Sequence, residues 1–268
     1  MKNGTIRVGI GGWTYEPWRG GVFYPEKLPH KRELEHAAGV MTAIEINGTY
    51  YSRFKPESFE NWARAVPDGF VFAVKASRYV TNRKVLADAG ESMAKFFEQG
   101  VTALGDRLGP ILWQFMATKK FDADDFGAFL KLLPATHEGT PLRHAVQVRH
   151  ESFRDPAFID MARAAGVAIV NAWSDDYPGI GDVTGDFVYA RFENAVAEEA
   201  QGFPKATLDR FADWAGDWAA GKPAGDLPVV GDAPAKQPRD VFAFMINGAK
   251  ERAPAAAQAL IERVGRPG

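Results

Sequence analysis

Short, almost continuously apolar segments recur along the chain, separated by turn residues and by segments of helical periodicity. Runs of this kind are typical of parallel strands that are covered on both faces. We predict eight strands, at 6–13, 41–47, 69–76, 109–115, 144–150, 167–173, 186–193 and 240–247.

Helical patterns occupy most of the intervals between these strands. The segment 56–66 begins with a proline that suits a first helical turn and repeats apolar side chains along one face. The interval between the sixth and seventh strands contains turn residues and no helical pattern, so we expect a missing or rudimentary helix there. Helices are predicted at 30–39, 56–66, 90–106, 122–133, 155–165, 204–220 and 252–264.

The alternation of strands and helices predicts an α/β fold, a (β/α)8 TIM barrel formed as one domain by residues 1–268. Eight βα units fit the usual size of such a barrel, about 250 residues. The alternative is an open doubly wound sheet, which usually carries a G-x-G-x-x-G motif opening a helix after its first strand. Here Thr14 stands in place of the third glycine, and Pro17 with several aromatic residues follows.

Composition narrows the function classes. A formal net charge of −2 gives no overall field that would attract nucleic acid or an anionic membrane, so any anion site must be local. The absence of cysteine excludes disulfides, thiolate nucleophiles and cysteine-ligated zinc. The first residues lack a signal-peptide pattern, and no apolar run reaches membrane-spanning length, so we expect a cytoplasmic protein without a membrane partner.

Polar residues interrupt the apolar strands on one side only. In the second strand Glu45 and Asn47 alternate with Ile44 and Ile46, and alternate residues of a strand face opposite sides. Burying such groups singly is costly, whereas groups that converge at one mouth of a barrel can hydrogen-bond to one another. We expect this convergence at the C-terminal mouth. The polar residues near that end are Glu45, Asn47, Lys75, Gln114, Gln147, Arg149, Asn171, Tyr189, Arg191, Glu193 and Asn247.

Charge at this mouth favours an anionic ligand. Three cations face two carboxylates, and a surplus charge in a cleft of low dielectric is costly unless a counter-ion enters. Arginine also offers a planar fork that suits carboxylate or phosphate. The alternative for Glu45 is a role in a buried ion network only. We predict an anion clamp of Lys75, Arg149 and Arg191, orienting groups at Asn47, Gln114 and Asn247, and general acid or base roles for Glu45 and Glu193.

Aromatic residues crowd the loops that follow the strands. Trp13, Tyr15 and Tyr50 are the members we assign to ligand binding, because aromatic walls suit sugar rings or bases. Each of them could instead close the barrel top as part of a hydrophobic lid. Histidine is scarce at the strand ends, where only His150 stands, so we predict no metal site and no cofactor.

Several sequence blocks resemble the DUF72 (YecE-like) family. The most specific is "AIEINGTYYSRFKPESFENWARAVPDGFVFAVKASRYVT", with "GGWTYEPWRGGVFYP", "LGPILWQF" and "AVQVRHESF" in support. The resemblance implies a TIM barrel and leaves the activity open. Family members usually carry glutamate where this chain has Gln147, and a His-Gly pair where it has Phe192 and Glu193.

Three functional hypotheses remain open. The preferred one is a pocket for a phosphate- or carboxylate-bearing small molecule or nucleotide, as in a metal-independent hydrolase or lyase. A non-catalytic protein that binds nucleic acid or an unpaired base is less favoured. The third is a glycoside hydrolase that uses Glu45 and Glu193 as its carboxylate pair. Whether a reaction is catalysed, and the oligomeric state, are left open.

Overall fold

Eight parallel strands close into a barrel in this computed structural model, which describes residues 3–267. Each strand pairs with its neighbour in parallel, and the last strand closes on the first, with Ile6 opposite Val241. The predicted TIM barrel of α/β class is therefore confirmed. Its strands are β1 (Ile6–Gly11), β2 (Ala43–Ile46), β3 (Val71–Lys75), β4 (Leu108–Gln114), β5 (His144–Gln147), β6 (Ala168–Trp173), β7 (Phe187–Phe192) and β8 (Asp240–Met245).

The seven predicted helices are all present, and two single-turn helices, at Gly48–Tyr51 and Arg78–Thr81, add to them at the C-terminal mouth. The helix predicted at 90–106 is shorter because Gly100, with φ of 90°, interrupts it before a 3-10 segment. Within residues 3–267 no helix has the length and hydropathy to cross a membrane. The helices are α1 (Glu33–Val40), α2 (Gly48–Tyr51), α3 (Pro56–Arg64), α4 (Arg78–Thr81), α5 (Gly90–Phe97), α6 (Ala123–Leu132), α7 (Pro156–Ala164), α8 (Lys205–Ala219) and α9 (Ala253–Val264).

The interval between β6 and β7, residues 174–186, has no helix, as the sequence predicts. It is held instead by the irregular connection that precedes β8. The carboxylate of Asp182 accepts hydrogen bonds from the backbone N–H groups of Val230 and Gly231, at 2.8 and 2.9 Å. These bonds satisfy two backbone N–H groups of the connection and tie the two irregular segments together on this side of the barrel.

The barrel interior is apolar over most of its height and polar at one end. Aromatic rings fill its lower part, where Phe187 packs against Phe242 and Tyr189 against Phe244. The outward residues of the same strands pack under the helices in a separate apolar layer. Above these rings the inward side chains become polar near the C-terminal ends of the strands, so their hydrophilic groups meet at that mouth. At the other end of the barrel, the Arg7 guanidinium carbon lies 5.7 Å from the centre of the Phe242 ring.

Candidate functional site

A buried ion pair crosses the upper barrel interior between β7 and β2. The Arg191 guanidinium binds both oxygens of Glu45, with Nε to Oε2 at 3.2 Å and Nη2 to Oε1 at 3.1 Å. The Tyr189 hydroxyl donates a third hydrogen bond to Glu45 Oε2 at 2.6 Å. Arg191 is 2% exposed and Glu45 is fully buried, so each of these charges depends on the other.

A second carboxylate lies on the other side of the same guanidinium. Arg191 Nη1 donates to Glu193 Oε1 at 3.2 Å and to Gln147 Oε1 at 2.6 Å. The amide of Gln114 also donates to Gln147 Oε1, at 2.7 Å, and Asn247 Nδ2 donates to Glu193 Oε2 at 3.0 Å. The polar residues predicted on β2, β4, β5 and β7 thus form one hydrogen-bonded network.

Electrostatics favour the charged forms of Glu45 and Arg191. Burial acts to raise the pKa of Glu45, but the charges of Arg191 and Lys75 and the bonds from Tyr189 and Arg191 outweigh it, so the pKa is lowered. Burial and the adjacent Glu45 carboxylate raise the Tyr189 pKa well above its ordinary value, which keeps the hydroxyl a donor. Burial also opposes the Arg191 charge, but the two carboxylates prevail and raise its pKa.

Lys75 lies at the end of β3 without a carboxylate partner. Its side chain is 7% exposed, and within the described part of the chain its Nζ makes no hydrogen bond or ion pair. The Nζ instead lies over the ring of Tyr50, 4.3 Å from the ring centre. Burial and the Arg191 charge lower the Lys75 pKa to about 7, although Glu45 opposes the shift.

Arg149 extends β5 toward the same opening. Its guanidinium carbon lies 4.1 Å from the centre of the Tyr177 ring, and its Nη2 is 3.9 Å from Glu193 Oε1, which is too long for a hydrogen bond. The Nε is buried and, among residues 3–267, has no hydrogen-bond partner. Burial and Arg191 lower the Arg149 pKa. Among the three cations that extend from the strands, the surplus positive charge therefore lies on Lys75 and Arg149, because Arg191 binds both carboxylates.

An aromatic cleft of about 410 Å³ opens beside this charged region. Trp13 and Trp62 form one wall, edge to face at 5.3 Å between ring centres. Lys250 lines the opposite side, with its Nζ 4.8 Å from the centre of the Tyr15 ring. Asn47 also lines the cleft, and its amide donates a long hydrogen bond of 3.4 Å to the Glu45 carbonyl oxygen. The mouth therefore has a cationic half and an aromatic half.

Two candidate groups lie away from the mouth. Asn171 points out of the barrel into a narrow gap under α8, because it shares a strand face with the outward Ile169. The His150 ring accepts a hydrogen bond from the backbone N–H of Ser152 at 3.1 Å, so it caps a 3-10 turn. Phe192 is also outward, stacked on Phe211 with 3.8 Å between ring centres, so this departure from the family pattern does not line the mouth.

Sequence reasoning missed one cationic member of the site. Lys250 follows β8 in an irregular segment, so it does not fall on a strand whose parity could reveal it. Tyr177, in the helix-free interval after β6, is one of the aromatic loop residues that the sequence places around the mouth. Residues 3–267 contain no group of three His, Asp or Glu side chains close enough to hold a metal ion. A cleft of about 440 Å³ lined by Arg143 and Arg239 lies at the opposite end of the barrel, the end that serves stability in such folds.

Comparison with known proteins places the chain in a family. The family model described as "Protein of unknown function DUF72" matches residues 7–268. The chain belongs to the DUF72 family. Among curated proteins it is 22% identical to UPF0759 protein YunF of Bacillus subtilis over 160 residues, which cover 58% of this chain and 54% of that protein. The matched region thus spans about half the length of that relative.

Solved structures of DUF72 proteins share this barrel. A DUF72 family protein from Thermotoga maritima superposes with a TM-score of 0.69 at 23% identity, covering 96% of each chain. A DUF72 family protein from Enterococcus faecalis gives a TM-score of 0.69 at 14% identity, covering 98% of this chain and 97% of that one. At these identities the likeness shows the fold, and the chemistry of the mouth must be argued from this chain's own residues.

Proposed function

We propose that the C-terminal mouth of the barrel binds a small molecule that carries a carboxylate or phosphate group. The proposal rests on which of the three cations are hydrogen-bonded to a carboxylate. Arg191 is bound to both carboxylates, whereas Lys75 and Arg149 lie beside the network with no hydrogen bond to either. An anion between Lys75 and Arg149 would neutralise charge that the protein itself leaves unbalanced.

The residues divide into contacting and supporting roles. Arg149 would donate its guanidinium N–H groups to the anion, since its side chain is 19% exposed and its Nε is unpaired. Lys75 would supply the second charge, with its Nζ 4.3 Å from the centre of the Tyr50 ring. Arg191 holds a supporting role, because four of its hydrogen bonds already reach Glu45, Gln147 and Glu193. A planar or sugar-like remainder of the ligand would fit the aromatic cleft beside Asn47.

The glycoside hydrolase alternative has weaker support. A general acid for that reaction needs a raised carboxyl pKa, whereas the pKa of Glu45 is lowered. Both Glu45 and Glu193 are fully buried and bind the same guanidinium, so neither is free to approach a glycosidic oxygen. A metal-independent hydrolase or lyase that uses the amine of Lys75 fits the mouth better.

Binding of a nucleic-acid end is the second candidate, and an exposed patch beside the mouth favours it. Tyr51 and Tyr79 are 60% and 64% exposed, and the guanidinium carbon of Arg78 lies 5.9 and 5.5 Å from their ring centres. Exposed aromatic rings with arginine are the means by which proteins stack unpaired bases. The small-molecule proposal is preferred because the unbalanced charge lies inside the mouth and not on this patch.

Calorimetric titration with inorganic phosphate tests the proposed function. Replacing Arg149 by Gln removes one charge-assisted contact, worth about 1.5–3 kcal/mol, and should weaken phosphate binding about 10- to 150-fold. The control is Arg154→Gln, which removes an exposed arginine whose carboxylate neighbour Glu151 lies 3.9 Å away, and it should leave binding unchanged. Equal affinity in the Arg149 variant and the parent would contradict the proposal.

Salt dependence separates the two candidates. Binding of a single anion displaces few counter-ions, so its affinity should fall modestly as salt is raised. Binding of a single-stranded oligonucleotide across the Tyr51, Arg78 and Tyr79 patch should fall steeply, because several phosphates are neutralised together. The nucleic-acid candidate would be favoured if oligonucleotide affinity falls steeply with salt, if Arg78→Gln makes this fall less steep, and if Arg149→Gln does not change it.

A further inference from the structure

One amine in the barrel mouth is buried without being paired. Lys75 is 7% exposed, and it lies on β3 two residues beyond Ala73, which pairs with Glu45. The carboxylates nearest to it, Glu45 and Glu193, are both engaged by Arg191. A lysine kept only for charge balance would normally reach a carboxylate, so the absence of such a contact needs another explanation.

We propose that Lys75 is a nucleophilic amine that forms an imine with an aldehyde or ketone carrying a carboxylate group. The proposal rests on the proposed function, because Arg149 would hold the carboxylate of the same ligand. Lysines that act in this way are typically desolvated and placed near a second cation. Here the desolvating wall is the ring of Tyr50, 4.3 Å from the Nζ, and the neighbouring cations are Arg191 and Arg149.

The placement of the charges favours the reactive form of this amine. Burial, together with the charges of Arg191 and Arg149, lowers the Lys75 pKa to about 7. At neutral pH Lys75 would then carry about a thousandfold more uncharged amine than an ordinary lysine of pKa about 10.4. Arg149 keeps its charge under the same conditions, so one residue can bind the anion while the other attacks the carbonyl carbon.

The step is chemically balanced without a further reactant. The Nζ lone pair attacks the carbonyl carbon, a C–N bond forms, and the C=O π bond breaks. The carbonyl oxygen receives the two Nζ hydrogens in turn, through solvent at the mouth, and leaves as water. The product is a C=N imine between Lys75 and the ligand, which a proton from solvent converts to the iminium ion. This intermediate is typical of lyases that act on carbonyl compounds.

Reductive trapping with glyoxylate and cyanoborohydride tests the proposal on the intact protein. Glyoxylate is an aldehyde with a carboxylate, and cyanoborohydride supplies the hydride that fixes the iminium as a stable secondary amine. Peptide mapping by mass spectrometry at neutral pH should find carboxymethylation at Lys75 at least about tenfold above that at Lys236, an exposed lysine of ordinary environment. Half-maximal labelling of Lys75 is expected near pH 7.

Two variants keep the outcome interpretable. Arg149→Gln should reduce the labelling of Lys75 by glyoxylate about tenfold more than the labelling by propanal, because only glyoxylate loses a charge-assisted contact. Both aldehydes share the effect of removing a cation that lowers the Lys75 pKa, so their ratio isolates the carboxylate contact. Lys75→Arg retains a cation, so it should still bind phosphate while losing all label at this position. Phosphate binding without preferential Lys75 labelling overturns the imine proposal alone. The anion pocket is overturned if phosphate does not bind and if glyoxylate and propanal label Lys75 to the same extent.

Discussion

Arg191 on β7 and Glu45 on β2 form an ion pair between two strands that are not adjacent in the barrel wall. β2 and β7 are not neighbours, since β1 and β8 lie between them, yet the side chains meet through two hydrogen bonds of 3.1 and 3.2 Å in the interior. Glu193 and Gln147 bind the other side of the same guanidinium. Of the three cations predicted as the clamp, this pairing leaves Lys75 and Arg149 without a hydrogen bond to a carboxylate, and the proposed ligand chemistry follows from that division.

Removing Arg191 should destabilise the protein strongly. Arg191→Met leaves two buried carboxylates without their cation, and breaking a buried ion pair in this way costs about 3–5 kcal/mol. Urea unfolding followed by tryptophan fluorescence measures the loss. Arg154→Met, which removes an exposed arginine, is the matched control and should not change the midpoint. Loss of less than about 1 kcal/mol in the Arg191 variant would show that the network does not hold the strands.

Stability should depend on pH through Lys75. The folded-state pKa, about 7, is below the ordinary lysine value of 10.5, so between these values the unfolded chain binds more protons. The free energy of unfolding contributed by Lys75 therefore rises with pH in this window, by at most about 1.4 kcal/mol per pH unit. The difference in unfolding free energy between the parent and Lys75→Met isolates this contribution. A difference that is constant from pH 6 to 10 would contradict the lowered pKa.

Glu193 and Gln147 are expected to share one role, which is to bind the Arg191 guanidinium. Both Glu193 and Gln147 accept hydrogen bonds from Arg191 Nη1, at 3.2 and 2.6 Å. Glu193→Gly should therefore destabilise the barrel by about 3–5 kcal/mol, and Gln147→Glu in the same chain should recover most of that loss. Chemical denaturation of both variants measures the coupling. Purely additive effects would show that the two positions do not share one role.

A glycine on β1 is required by the approach of the neighbouring strand. A Cβ placed on Gly9 would lie 1.8 Å from the carbonyl oxygen of Ala43, which is part of the backbone of β2 and cannot yield. We expect Gly9→Ala to reduce the yield of folded protein or lower its stability by several kcal/mol. Gly216→Ala is the control, because its added Cβ meets nothing within 4 Å inside α8. That variant should gain about 0.5–1 kcal/mol through helix propensity.

Strand parity predicted the inward residues well because alternation is a local property of the chain. Glu45, Gln147, Arg191 and Glu193 all lie in one network, as their positions on apolar strands indicate. The sequence could not tell which cation binds which acid, since that choice depends on barrel stagger and side-chain length. Arg191 therefore takes both carboxylates, and the predicted three-residue clamp divides into one supporting and two unpaired cations.

The loops after the strands account for what parity could not predict. Lys250 and Tyr177 reach the mouth from irregular segments whose course is set by contacts distant in sequence. Asn171 was wrongly predicted at the mouth because it lies near the end of a strand. Its side chain points outward, under α8, as its position in the strand alternation requires. The helix-free interval between β6 and β7 was predictable because its turn residues exclude a helical pattern locally.

The most direct test of the unbalanced charge is a high-resolution crystal structure from crystals grown in phosphate. We expect a phosphate ion at the C-terminal mouth, with its oxygens within hydrogen-bonding distance of Lys75 Nζ and of the Arg149 guanidinium. Arg191 should remain bound to Glu45 and Glu193. A mouth occupied by water alone, with Lys75 and Arg149 each turned onto a carboxylate, would contradict it.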